Sequence, residues 1–276
     1  MTNACYRFVV KLDRNLGVVL EYRAGTVQDL DVLARIGADA FSDYPLFRLT
    51  EPELRPGVTF DQFHFALHRM LVKIFLKRES VLVACEDGKP RGYALLQKQE
   101  MPFLPYLLNG GVGLLKYIPL KPLLEFLTLT DAADQHVKLN THYDWFLEVI
   151  AVHPEHQGRG IGTGMLDVGI AKFVKATGGS NYAFVTNTAK NARFYDHNGC
   201  RELAVSHLDY RGREINVWAF KKELDKKKSK PAKDAKAPAK KAATKKTAAK
   251  KGTAKKTAPR KAAAKKTSGA GPATDE

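Results

Sequence analysis

Cysteine is scarce in this sequence of 276 residues: Cys5, Cys85 and Cys200 stand far apart, odd in number and without a CxxC pair. That argues against a disulfide scaffold and a cysteine-based zinc site, and for free thiols in a reducing compartment. Long apolar runs are missing too. The longest uncharged one, residues 101–115, is broken by Pro102, Pro105, Asn109 and three glycines, too short and interrupted to span a membrane. Residues 1–17 carry Arg7, Lys11, Asp13 and Arg14 and have no apolar core of a secretory leader. A soluble, intracellular chain is expected.

Aromatic residues are absent from residues 221–276, where Leu224 is the only large apolar side chain. The charge concentrates there. Of 45 Lys and Arg and 29 Asp and Glu, that stretch holds 20 and 5, leaving a near-neutral body at 1–220. The formal net charge of +16 therefore describes the tail and not the body. The sequence divides into an N-terminal extension at 1–17, a domain at 18–220 and a tail that cannot bury a core and is expected to be disordered.

Within the body, residues 18–23 alternate and are rich in branched side chains, which predicts a strand; Thr26 is placed to cap a helix. Residues 60–77 predict a second helix. Residues 81–85 and 91–97 predict a hairpin that turns at Asp87-Gly88. The proline- and leucine-rich span 98–141 reads as an insertion of short helices that caps the core. Then follow a central strand at 143–152, a helix at 161–177, a strand at 181–186, a helix at 189–198 closed by Gly199, and strands at 201–210 and 214–220. This is mixed α/β with helical crossovers in the second half.

The most informative stretch is Val149-Ile-Ala-Val-His-Pro-Glu-His-Gln-Gly-Arg-Gly-Ile-Gly162. An apolar strand runs into a glycine-rich turn that opens a helix. Helix N-termini expose unpaired N–H groups and a positive dipole end, and glycines let a phosphate approach the backbone. The turn is thus a phosphate cradle. It is not a Walker loop, because no Lys-Ser/Thr follows, and it is not GxGxxG, because Thr163 and Met165 occupy the possible third-glycine positions.

What fits is Gln157-x-x-Gly160-x-Gly162, followed by Asn187-Thr-Ala-Lys-Asn191-Ala-Arg-Phe-Tyr195-Asp-His-Asn-Gly199-Cys. Together these resemble the Gcn5-related N-acetyltransferase (GNAT) superfamily over residues 18–220. The resemblance implies a mixed, mostly antiparallel central sheet flanked by helices, with acetyl-CoA as co-substrate and no metal. By position it implies that the backbone of Ile150, Ala151 and Val152 pairs with the pantetheine arm like an added strand. The amides of Gln157, Gly158, Arg159, Gly160, Ile161 and Gly162 would hold the pyrophosphate. The Arg159 side chain either adds a charged contact or is merely solvated. Asn187 and Asn191 would bind the cofactor, Asn191 near its thioester end, and Tyr195 would protonate the departing thiolate.

A primary amine, with a pKa of ~10, must lose a proton before it attacks. Strict alternation along residues 143–152 places Phe146, Glu148, Ile150 and Val152 on one face, where a carboxylate is the anomaly. Glu148 is the candidate base. Histone-modifying relatives carry theirs at the position of Phe146, two residues earlier, and the alternative is a structural Glu paired with Lys or Arg. His153 and His156 suggest no metal without a third ligand, and His64 and His68 read as an ordinary helix face. Tyr44, Phe47 and Tyr106 are candidates for an acceptor pocket, although such aromatics more often belong to the core.

The tail carries basic pairs at 240/241, 245/246, 250/251, 255/256, 260/261 and 265/266, a spacing that gives a helix no apolar stripe. Its composition resembles the C-terminal tail of a linker histone, implying salt-sensitive, sequence-independent contact with nucleic acid. Lys226-Lys-Lys-Ser-Lys-Pro also reads as a nuclear import signal, so the nucleus is favoured over the cytoplasm. The expected function is acetyl-CoA-dependent N-acetylation of a primary amine, either a small amine or a protein lysine or N-terminus. The competing expectation is a nucleic-acid- or chromatin-binding protein whose acetyltransferase body is inactive or only senses acetyl-CoA.

Overall fold

Eight strands form one sheet in a computed structural model that describes residues 7–11, 19–98 and 103–224. The strands are β1 (Arg7–Lys11), β2 (Val19–Ala24), β3 (Val81–Glu86), β4 (Lys89–Gln97), β5 (Trp145–Val152), β6 (Asn181–Thr186), β7 (Arg201–Tyr210) and β8 (Arg213–Glu223). Their order is β1-β2-β3-β4-β5-β6-β8-β7. Only β5 and β6 run parallel; the other neighbours are antiparallel. The expected mixed, mostly antiparallel sheet is what forms.

The sheet is covered on both faces, and β3 shows why. Its Val81, Val83 and Cys85 pack with Phe63, Leu67 and Phe75, while Leu82 and Ala84 pack with Met165, Leu166 and Ile170. Side chains alternate across a strand, so a strand apolar at every position needs a helical layer on each side. One layer holds α1 (Leu30–Ala40), α2 (Phe60–Lys77) and α3 (Leu120–Asn140). The other holds α4, residues 161–176 with a π-helical middle at Met165–Ile170, and α5 (Ala189–His197).

Local chemistry fixes these boundaries. Before α2, the Thr59 N–H donates to Gln62 Oε1 at 3.1 Å and the Gln62 N–H donates to Thr59 Oγ1 at 3.2 Å, a reciprocal cap. Between β3 and β4, Asp87 and Gly88 both adopt positive φ, as a tight hairpin demands.

Three expectations are corrected. Residues 1–17 are not merely an extension, because Arg7–Lys11 pairs antiparallel with β2. The 98–141 span holds more than short helices, since α3 runs 21 residues. Pro119 caps that helix and Pro122 lies in its first turn, where no intrahelical N–H is lost, so neither proline breaks it. Third, the domain does not stop at 220. β8 continues to Glu223, and buried Lys222 donates from Nζ to Asp167 Oδ1 at 2.6 Å and to the Asn198 carbonyl at 2.9 Å. The rest of the basic tail, with its expected disorder, nucleic-acid contact and import signal, lies outside the described residues. Among those residues, no helix is long and apolar enough to cross a membrane.

Candidate active site

The parallel pair β5–β6 is bonded only at its start, Trp145 with Tyr182 and Phe146 with Ala183. Beyond Phe146 the two strands part. The other edge of β5 stays on β4, where Ala94, Tyr93 and Gly92 face Ile150, Ala151 and Val152. The β6-facing edge of residues 147–152 is therefore left without a neighbouring strand. Backbone donors and acceptors on such an edge invite an extended, amide-bearing ligand.

β5 is also bulged. Leu95 faces Val149 while the next residue, Leu96, faces Leu147, so Glu148 is the extra residue. The bulge shifts the alternation by one. Trp145 and Leu147 pack on the α4 side, yet beyond the bulge Val149 and Ala151 pack on the α1–α3 side, and Ile150 and Val152 turn to α4. Glu148 thus does not share a face with Ile150 and Val152, contrary to strict alternation.

After β5 the chain turns through the glycine loop into α4. Gln157 Nε2 donates back to the Val152 carbonyl at 3.1 Å. Gly158 and Gly160 have φ of 74° and 81°, and a Cβ on either would meet nothing within 4 Å. Their role is backbone conformation and an unobstructed approach to the N–H groups of the first turn of α4. A Cβ on Gly162 would lie 3.2 Å from the Phe194 ring, so this position sets the spacing between α4 and α5.

The Arg159 guanidinium does not wait in solvent. It donates to Glu86 Oε1 and Oε2 at 2.6 and 3.2 Å and lies 2.8 Å from His156 Nδ1. Burial and the cations Arg91 and Arg159 hold the His156 pKa below its ordinary value. His153, Glu155 and His156 bring ligand-capable atoms within 4.8 Å of one another. Their geometry is already used otherwise: His153 Nδ1 accepts from the Glu155 N–H at 3.3 Å, and His156 Nδ1 faces Arg159.

The splay opens into a cavity of about 320 Å³, lined by Glu148, Ile150, Thr186, Asn187, Asn191 and Tyr195 among others. Tyr195, on α5, is buried edge-on to Phe184 with ring centroids 4.5 Å apart. Burial, aided by neighbouring Tyr44, pushes its pKa well up, so the phenol stays protonated. Asn187 is held in place: its N–H donates to Tyr44 Oη at 2.7 Å and its Nδ2 to the Asn216 carbonyl at 3.0 Å. The Asn191 N–H donates to Thr188 Oγ1 at 3.2 Å, which leaves the Asn191 amide for the cavity it lines.

The opposite wall comes from the turn after α1, from α2 and from α3. Tyr44, Phe47 and Tyr106 do line the cavity, with Phe41 and Phe126. Sequence reasoning missed the polar part of this wall: Gln97, Asp131, Asp134 and Lys138. Lys138 Nζ lies 3.1 Å from Asp131 and 3.4 Å from Asp134. Gln97 Nε2 donates to Glu148 Oε2 at 2.9 Å. Burial raises the pKa of Glu148, against the pull of Lys138; burial and the Glu148 charge raise that of Asp134. The i, i+3, i+7 spacing of Asp131, Asp134 and Lys138 was the available signal, hidden while 98–141 read as broken helix.

The profile of the acetyltransferase (GNAT) family matches residues 43–199. The chain belongs to that family: it is an N-acetyltransferase with acetyl-CoA as its co-substrate. No curated protein matches the sequence. Among solved structures, arylalkylamine N-acetyltransferase 7 of the mosquito Aedes aegypti is similar at 16% identity and a TM-score of 0.52, over 80% of this chain and 94% of that one. A polyamine N-acetyltransferase of Drosophila melanogaster aligns at 14% identity and 0.47, over 74% of this chain and all of that one (100%). A GNAT acetyltransferase of Desulfovibrio desulfuricans aligns at 18% and 0.46, over 74% and 99%. The likeness to the mosquito enzyme shows the fold.

Proposed function

We propose that the protein acetylates a primary amine by direct attack in a ternary complex, with Glu148 as proton acceptor and Tyr195 as proton donor. The observation that carries this reading is the splay after Phe146, which opens the edge of 147–152 onto one cavity shared by Glu148 and Tyr195. The backbone of Ile150, Ala151 and Val152 is suited to pair with the pantetheine amides. The N–H groups of Gln157–Gly162 receive the pyrophosphate at the dipole end of α4. A phosphate there competes with Glu86 for Arg159. Asn191 holds the thioester end, and Asn187 fixes Tyr44 and β8 behind it.

The amine nitrogen bonds to the thioester carbon, and the carbon–sulfur bond breaks. The nitrogen's surplus proton passes to Glu148, directly or through water, and then to solvent. The departing thiolate takes the Tyr195 proton, which solvent restores. A carboxylate raised by burial is the better base for an ammonium, because its proton affinity lies closer to that of the amine. Burial weakens Tyr195 as an acid, but burial also raises the proton affinity of a thiolate leaving in the same cavity.

The test is CoA release from acetyl-CoA by the full-length chain over alkylamines, diamines, aminoglycosides, amino acids and histone-tail peptides. Turnover on any of them, lost in Tyr195→Phe, supports the reading. Tight acetyl-CoA binding without turnover on any would favour the competing one, a sensor or inactive domain. One observation keeps a nucleic-acid role in view: the 20 Lys and Arg against 5 Asp and Glu in residues 221–276. Removing 225–276 is expected to abolish salt-sensitive DNA binding and to leave small-amine acetylation in place.

A further inference from the structure

Three carboxylates and one ammonium line the acceptor wall of the cavity: Asp131, Asp134 and Glu148 against Lys138. These are the charged groups that face one another there, Asp131, Asp134 and Lys138 from α3 and Glu148 from β5. Asp131 is exposed, but Asp134 and Glu148 are enclosed and have one ammonium, Lys138, between them, an excess of one negative charge when both are ionised. Enclosure penalises such an excess unless a cation joins it.

A second, independent feature points to the same ligand. Gln97 is 5% exposed and lines the cavity. Its Nε2 is spent on Glu148, and its buried Oε1 has no partner among the described residues. An unmet acceptor beside a carboxylate calls for a donor-rich group, and an ammonium offers three N–H donors and no acceptor. The wall between these polar groups is apolar, with Phe41, Phe47, Phe126 and Leu127. Aromatic faces of that kind accept methylenes and attract cations.

We propose that the acceptor is an aliphatic diamine or polyamine, one nitrogen presented to Glu148 and Gln97 for acetylation, a second held as a cation by Asp134 and Asp131. This rests on the acetyl-transfer reading above and adds to it the chemical class of the acceptor. Asp131 and Asp134 are three residues apart on α3, about 4.5 Å along the axis. A short methylene chain spans from Glu148 to that pair along the aromatic wall. The acceptor nitrogen must be neutral when it attacks, so only a second nitrogen can stay beside Asp134 as the cation that offsets the excess.

The experiment is calorimetric titration of putrescine, butylamine and phenethylamine into the full chain saturated with CoA, with CoA release from acetyl-CoA followed in parallel. Putrescine is expected to bind about tenfold or more tightly than butylamine, a difference of the size one buried charge-assisted contact provides. Asp134→Asn is expected to bring that ratio close to one and Asp134→Glu to restore part of it. Asp131→Asn serves as the second variant should Asp134→Asn not fold. Equal binding of butylamine or phenethylamine, binding of none of the three, or a ratio that survives Asp134→Asn, would overturn the proposal. Putrescine binding without CoA release would instead refute the transfer reading and leave the subsite standing.

Discussion

Gln97 and Glu148 meet across the bulge between β4 and β5, the Gln97 amide donating to Glu148 Oε2 at 2.9 Å. Gln97 pairs with Phe146, so Glu148, two residues on, shares its face, and Phe146 packs with Val137 of α3. The bulge turns Ile150 and Val152 to the α4 side and leaves the carboxylate facing α3. There burial raises its pKa against the pull of Lys138.

A hydrogen bond to the ionised form of a carboxylate lowers its pKa. Removing it in Gln97→Leu is expected to raise the Glu148 pKa further. As the proposed base, Glu148 must be deprotonated, so the acid limb of the rate profile is expected to move to higher pH, by about one unit if the bond contributes ~1.4 kcal/mol. The rate at alkaline pH should largely recover. A plot of log kcat against pH checks this; a uniform loss at every pH would assign Gln97 a purely structural role.

Tyr195→Phe keeps the ring that packs on Phe184, Phe194 and Phe220 and removes only the hydroxyl. The expected loss in kcat is about a hundredfold or more, the range for a positioned general acid. Acetyl-CoA affinity, measured by calorimetry, should change little. A loss confined to affinity would place Tyr195 in binding and not in proton transfer.

Gly160 has φ of 81° at the start of α4. A branched side chain in that conformation costs about 1–2 kcal/mol. Gly160→Val is therefore expected to weaken acetyl-CoA binding about tenfold, each ~1.4 kcal/mol being one decade. The melting temperature of the free protein and the acetyl-CoA dissociation constant, measured together, separate lost cradle from lost fold.

His64 and His68 lie buried between α1 and α2 in a chain with Tyr93: His68 Nε2 to His64 Nε2 at 3.1 Å, His68 Nδ1 to Tyr93 Oη at 3.3 Å. A Cβ on Gly37 would come within 2.6 Å of His68 Nδ1, so a glycine is needed for the approach. Burial pulls the His64 pKa down to about 4 and that of His68 well down. A histidine depressed in the folded state binds more protons unfolded, so stability is intact above pH ~6.5 and falls as pH drops toward the folded value. For His64 the loss between pH 7 and pH 5 comes to about 2 kcal/mol. Thermal melts should show that fall in the wild type and a shallower one in His64→Gln; parallel slopes would contradict it.

Much of this was legible in the sequence. The helix expected at 60–77 forms at Phe60–Lys77, and the strands expected at 181–186 and 201–210 form at those residues, because periodicity and caps coincide there. The loop Gln157–Gly162 declares itself through glycines that backbone geometry requires. The bulge at Glu148 is a matter of pairing between strands fifty residues apart, and one strand's own pattern carries no trace of it. α3 was masked by Pro119 and Pro122, which break a helix interior but suit its first turn. With α3 unread, Asp131, Asp134 and Lys138 had no shared face, and the polar wall of the cavity was invisible.

The central claim is that Glu148 takes the amine's proton in the cavity beside Tyr195. The most direct measurement is kcat for CoA release, with a saturating amine found in the panel, from acid to alkaline pH in wild type and Glu148→Gln. The account predicts a wild-type rate that rises through a single ionisation above the ordinary carboxylate range. In Glu148→Gln that ionisation disappears and the rate falls about a hundredfold or more. A variant that keeps both the rate and the ionisation would show that the proton leaves by another route.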